Sequence, residues 1–274
     1  MQKSYEKIFL YLIVLISISL NANCQNNSGQ ATNKSPVKLN TEYKVVHVLV
    51  ALCDNKYQGI VPVPAAIGNG QDPKNNLYWG CSNGIYTYFK KSKEWTLVKS
   101  QKLNSIKLER AIFKHVSKNY YLVADAYDGK YIKQTTLDFF NSTSGKLKDT
   151  LHINKKIIGI NGNAQLIAYI GHDGLMDFQL NESFANVDGQ KRDAIMLACI
   201  SKKYFSNHLT ATKANPLVWT TGLMCPEAYT LHDAVKGYIN GEKNEQIRLR
   251  AAMAYSKYQK CSLKASKNLL VTGY

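Results

Sequence analysis

Apolar residues in this chain gather into short dense runs separated by polar, turn-forming stretches. Val45 to Leu52 (VVHVLVAL) is almost continuously apolar and β-branched, the pattern of a strand buried on both faces. It stops at Cys53-Asp54-Asn55. Leu108–Val116, Tyr120–Ala126, Ala164–Ile170, Ala194–Ala198 and Leu217–Thr220 read as further strands. Between and after them the spacing turns helical. Ser82–Lys90 has Ser82 as a candidate N-cap, and Tyr131–Asn141 follows the turn at Asp128-Gly129. Ala228–Ile239 and Gln246–Ala265 form a helical tail interrupted at Asn240-Gly241, with Pro226 where a first helical turn accepts proline. Strands alternating with helices predict an α/β domain with a mainly parallel central sheet. Gly59–Leu77 reads as one long irregular loop, and a loop of that length in a compact domain is usually functional or disordered.

The amino-terminal segment has a different pattern. Lys3 and Lys7 precede an apolar run from Ile8 to Leu20, which suits a signal peptide and is short for a membrane span. Two readings of its end stay open: cleavage after Cys24, with the small Ala22 and Cys24 at the positions read, or lipidation of Cys24. Residues 25–42 are rich in Asn, Ser, Thr and Lys and read as a tether. Residues 43–274 remain as a single α/β domain. The expected location is outside the cytoplasm: periplasmic, outer-membrane-anchored or secreted.

Charge and cysteines narrow the picture further. The formal net charge of +16 is spread along the chain, and a basic exported protein is attracted to anionic envelope surfaces. No recognition helix, zinc-finger spacing or aromatic RNA-binding motif accompanies it, so no specific nucleic-acid partner is expected. Apart from Cys24, the cysteines are Cys53, Cys81, Cys199, Cys225 and Cys261, an odd number that leaves a thiol over in an oxidising compartment. None has CxxC spacing, so no metal site is expected. Cys53 and Cys81 flank the long loop, and Cys225 and Cys261 lie in the helical tail. These two disulfides would leave Cys199 free, although spacing alone leaves the other pairings open.

Two segments carry candidate chemistry. One buried strand runs into His172, and the next runs into Cys199. Ligands of parallel α/β sheets bind beyond the carboxyl ends of the strands. Neighbouring strands would set an imidazole beside a thiol, the arrangement of a general acid/base and a nucleophile. Backbone N–H groups of Asp173, Gly174 and Cys199 would face the developing oxyanion, with Gly174 allowing a tight turn. Asp54 and Asp125, at strand ends, read either as cleft-lining carboxylates or as turn formers. His47, inside a strand, reads as structural. No GxSxG elbow supports a serine nucleophile.

The pair Ala164–His172 (AQLIAYIGH) and Ile195–Cys199 (IMLAC) resembles the caspase-like cysteine peptidase superfamily: caspases, legumains, clostripain, gingipains, separases and the bacterial CHAT domains. Pro216–Gly222 (PLVWTTG) and the helical Glu227–Gly241 resemble the strand and helix that close CHAT-type domains. The resemblance spans roughly Val45 to Leu270. It implies a three-layer fold, a mainly parallel sheet flanked by helices, and hydrolysis of peptide or protein substrates by a Cys199–His172 dyad without metal or organic cofactor. It also implies that the strand bearing Trp219 helps line the substrate pocket. One departure is plain. The family has Gly directly after the catalytic His, whereas here Asp173 intervenes and Gly174 comes second. A carboxylate there either orients His172 or opposes turnover. The alternative to a peptidase is therefore an inactive caspase-like fold serving as a periplasmic or surface interaction protein.

Overall fold

A strand whose residues are apolar at consecutive positions has to be covered on both faces, and this requirement organises the domain. The computed structural model describes residues 38–274; the segment read as a signal peptide, Cys24 and most of the segment read as a tether lie outside the described residues. In chain order the elements are β1 (Lys44–Ala51), α1 (Ile85–Lys91), β2 (Trp95–Lys102), β3 (Lys107–His115), β4 (Tyr120–Tyr127), α2 (Ile132–Thr143), β5 (Lys148–Ile153), β6 (Lys156–Asn161), β7 (Leu166–Ile170), β8 (Asp193–Leu197), α3 (Ser201–Thr212), β9 (Asn215–Thr220), α4 (Ala228–Ile239), α5 (Asn244–Gln259), α6 (Leu263–Leu269) and β10 (Leu270–Val271). Eight strands form one sheet in the order β10-β9-β8-β7-β1-β4-β3-β2, and β5 and β6 form a separate hairpin. The central strands β4, β1, β7, β8 and β9 are parallel, while β2, β3 and β10 add antiparallel edges. The expected α/β class with a mainly parallel sheet is present.

The two-residue period of a strand sends alternate side chains of β1 into two cores. Val46, Val48 and Val50 pack with Ile85 and Phe89 of α1, Tyr229 and Leu231 of α4, and Ala251 and Tyr255 of α5. Val45, Leu49 and Ala51 pack with Phe139 and Phe140 of α2 and Phe205 and Leu209 of α3. Helices thus cover both faces. Among the described residues no helix is long and apolar enough to cross a membrane.

A polar network ties the sheet to the β5–β6 hairpin. His47, Asp125 and Arg110 are all buried. Arg110 Nε and Nη2 donate to the two Asp125 carboxylate oxygens at 2.6 and 2.7 Å, and His47 Nε2 stands 3.2 Å from Asp125 Oδ2. His47 Nδ1 accepts the Asn161 N–H at 3.0 Å, which requires a neutral ring protonated on Nε2. Burial would raise the Asp125 carboxyl, yet Arg110 and His47 hold it well below the usual carboxylate range. Asp125 is accordingly part of the core; it neither forms a turn nor lines a cleft.

Several expected boundaries move. Asn40 N–H donates to Ile157 O at 2.7 Å, so the chain is docked within the segment read as tether. Ser82 does not cap α1, whose N-cap is Gly84. Pro226 precedes Glu227, the N-cap of α4, and lies outside the first turn. The expected helix Gln246–Ala265 is two helices, because Lys260 takes the left-handed conformation (φ 53°) and Ser262 then caps α6 through Ala265 N–H.

Candidate functional site

Strands β7 and β8 are adjacent and parallel, with Tyr169 opposite Met196 and Ile170 opposite Leu197. Gly171 N–H donates to Leu197 O at 3.2 Å, carrying the pairing one residue further. Gly171 has φ 142°, and a Cβ there would lie 2.6 Å from Ala51 O, so only glycine fits where β7 leaves the sheet. His172 and Cys199 each stand two residues beyond the last ladder pair. They share one rim of the sheet, on strands that neighbour each other at about 4.8 Å.

His172 is nearly buried, and Nε2 lies 2.8 Å from Asp177 Oδ2. The same carboxylate oxygen accepts the Gly59 N–H at 2.9 Å, which pins the long loop to the rim. Tyr169 Oη donates to His172 O at 2.8 Å. Asp177 was not foreseen. The one cue in the sequence is a carboxylate five residues after the histidine, in a polar loop.

Cys199 sits on a sharp strand-to-helix turn. Ile200 is left-handed (φ 52°, ψ 29°), a costly conformation for a β-branched residue, and α3 begins at Ser201. Side chains from β9 and α3 hold this turn. Ser201 Oγ donates to Met196 O at 2.9 Å and accepts Thr220 N–H at 3.0 Å. Thr220 Oγ1 donates to Ala198 O at 2.5 Å and accepts Ser201 N–H at 3.1 Å. Ile200 N–H donates to Gly222 O at 2.9 Å. The half-buried Cys199 Sγ accepts Met224 N–H at 3.4 Å and lies 3.5 Å from Met224 O. Burial pushes the thiol up; the Met224 amide opposes this, and Asp173 adds to it.

Asp173 is fully buried. Oδ1 accepts Leu175 N–H at 3.0 Å, and Oδ2 has no partner. Burial pushes its carboxyl up to about 7, with the neighbouring Asp177 adding to the shift. Among the described residues the Asp173 and Cys199 N–H groups have no acceptor. The Gly174 N–H faces the Tyr169 hydroxyl instead. Gly174 is not left-handed; a Cβ there would lie 2.7 Å from the edge of the half-buried Phe178 ring, which would have to move aside. Beside this loop, Leu175, Phe178, Leu180, Tyr204 and His208 line a cavity of about 290 Å³.

The other predicted residues have different surroundings. Asp54 is buried, and its Oδ1 accepts Lys56 N–H at 2.8 Å and Tyr57 N–H at 3.1 Å, while Gln71 Nε2 donates to Oδ2 at 2.8 Å. It forms the turn after β1, and its oxygens are occupied there. Trp219 is fully buried in the core on the α3 side, edge-on to Tyr274 with ring centroids 5.4 Å apart, so its indole does not line an open pocket. The two expected disulfides are absent: Cys53, Cys81, Cys199, Cys225 and Cys261 are all free thiols. Cys53 is clamped in the core by Asn76, which accepts its N–H at 3.1 Å and donates to its carbonyl at 2.8 Å. Cys81 Sγ is drawn to Asn75 O at 3.2 Å, and Cys261 Sγ meets Ser266 Oγ at 3.1 Å. Among the described residues no cluster of His, Cys, Asp and Glu is arranged to hold a metal ion.

Comparison with protein-family models, with curated proteins and with solved structures gives no match.

Proposed function

We propose that this chain is an exported cysteine peptidase with a three-layer, caspase-like fold, in which Cys199 is the nucleophile and His172 the general acid/base. One observation carries the reading: an imidazole and a thiol stand at equivalent positions past the ends of two adjacent parallel strands. Asp177 engages His172 Nε2, leaving Nδ1 to take the thiol proton. The sulfur then attacks the peptide carbonyl, and the Cys199 N–H, which has no acceptor among the described residues, receives the oxyanion. His172 returns its proton to the leaving amine, and water hydrolyses the acyl-enzyme. The lysine-rich surface favours retention on anionic envelope polymers.

The raised Cys199 thiol favours a second reading, an inert caspase-like fold that binds a partner at the cell surface. Incubating the mature protein with an unfolded protein substrate, and mapping fragments by mass spectrometry, separates the two. The peptidase reading expects new termini that vanish in Cys199→Ala and His172→Ala. Equal cleavage by wild type and Cys199→Ala refutes it.

A further inference from the structure

The β9–α4 connection that cradles the Cys199 sulfur carries a second free thiol. Met224 touches Sγ through both its N–H (3.4 Å) and its carbonyl (3.5 Å), and the next residue is Cys225. The Met224 carbonyl carbon is bonded to the Cys225 nitrogen, so the Cys225 backbone begins about two bonds from an oxygen already in contact with the sulfur. A disulfide needs the two Cα atoms within roughly 4.4 to 6.8 Å, and the shared Met224 contact puts the two cysteines in the same neighbourhood. Cys225 is exposed, Cys199 is half-buried, and both are unpaired. Cys53 is clamped in the core, and Cys81 and Cys261 are held by other partners. Cys225 is also the cysteine whose neighbour already contacts the Cys199 sulfur.

We propose that Cys225 is the resolving thiol for Cys199, closing a reversible disulfide that shuts the candidate site under oxidation by hydrogen peroxide. The Cys199 thiolate attacks one peroxide oxygen, and the O–O bond breaks. Sulfur is oxidised to sulfenic acid while hydroxide leaves and takes a proton to become water. The Cys225 thiolate then attacks the Cys199 sulfur. The S–S bond forms, the S–O bond breaks, and the second hydroxide leaves as water. A dithiol reductant reverses the bond by thiol–disulfide exchange. Closure removes the nucleophile reversibly and protects it from the sulfinic acid that further oxidation would produce. The functional consequence rests on the peptidase reading, whereas the bond itself rests only on the contact between Met224 and Cys199.

The test uses the mature protein, first reduced, then treated with hydrogen peroxide and mapped without reduction by mass spectrometry. A linked pair of peptides containing Cys199 and Cys225 is expected, together with loss of haloacetamide labelling at Cys199 and its return with dithiothreitol. In Cys225→Ser the link is gone and Cys199 proceeds to sulfinic acid. Pairing of Cys199 with Cys53 or Cys81, pairing of Cys225 with Cys261, or equal sulfinic acid in wild type and Cys225→Ser overturns the proposal. If the Cys199–Cys225 link forms while the reduced protein cleaves no substrate, the redox site stands and the peptidase reading fails.

Discussion

Replacing Asp173 by Asn tests whether a carboxyl is held in the wrong charge state beside His172. The side chain has no exposed surface, and its Oδ2 lacks a partner. Burial moves its titration from 3.8 to about 7. A folded value above the unfolded one means that the stabilising contribution is complete below about pH 4 and is lost as pH rises toward 7. Each pH unit in that window removes about 1.4 kcal/mol, so the full loss at pH 8 is about 4 kcal/mol. Asparagine keeps the shape and the acceptor for Leu175 N–H and does not titrate. Urea unfolding of wild type and Asp173→Asn at pH 4, 6 and 8 reads this directly. The two proteins should be close in stability at pH 4, and the variant should be more stable by several kcal/mol at pH 8. The same change removes the negative charge that raises the Cys199 thiol, so alkylation of Cys199 should begin at lower pH. Parallel pH profiles for the two proteins would show that the carboxyl is solvated and the reasoning wrong.

Other substitutions probe the frame of the site. Asp125→Asn leaves Arg110 buried without its partner and is expected to cost about 3 to 5 kcal/mol. For a domain of this size that lowers Tm by about 6 to 20 °C in calorimetry. Burial lowers the His47 pKa against the opposing pull of Asp125, so the unfolded chain takes a proton that the folded one refuses; stability should fall as pH drops below 6.5. Gly171→Ala puts a methyl 2.6 Å from Ala51 O at φ 142°, and a loss of about 3 kcal/mol or more is expected in urea unfolding. Asp177→Asn should leave Tm almost unchanged, because the carboxylate is partly exposed, and lower kcat for peptide cleavage about a hundredfold with little change in KM.

How much the sequence disclosed depended on burial. Strands β1, β4, β7, β8 and β9 are covered on both faces and appear as dense, mostly apolar runs, so their existence and the rim carrying His172 and Cys199 were readable. β2 is an edge strand with Lys99, Ser100 and Gln101 facing water or half-buried, and its pattern is too polar to stand out. In α3, a narrow stripe of Ser201, Phe205, Leu209 and Thr212 is buried, and the polar ends of that stripe hide its helical period. The α5–α6 break depends on a left-handed lysine, a residue with no special preference for that conformation. Asp177 and Met224 were hidden for a different reason. Asp177 becomes a partner of His172 through a loop fold, and Met224 meets Cys199 through its backbone, which no side-chain pattern encodes. The placement of Trp219 followed from the family resemblance, and its burial between α3 and Tyr274 is set by packing outside that motif.

The claim that His172 serves Cys199 is tested most directly by the rate of Cys199 alkylation as a function of pH, mapped peptide by peptide with a small haloacetamide. Wild-type Cys199 should react at lower pH than Cys199 in His172→Asn, whose profile should move toward that of an unassisted thiol. Superimposable profiles for the two proteins would contradict it.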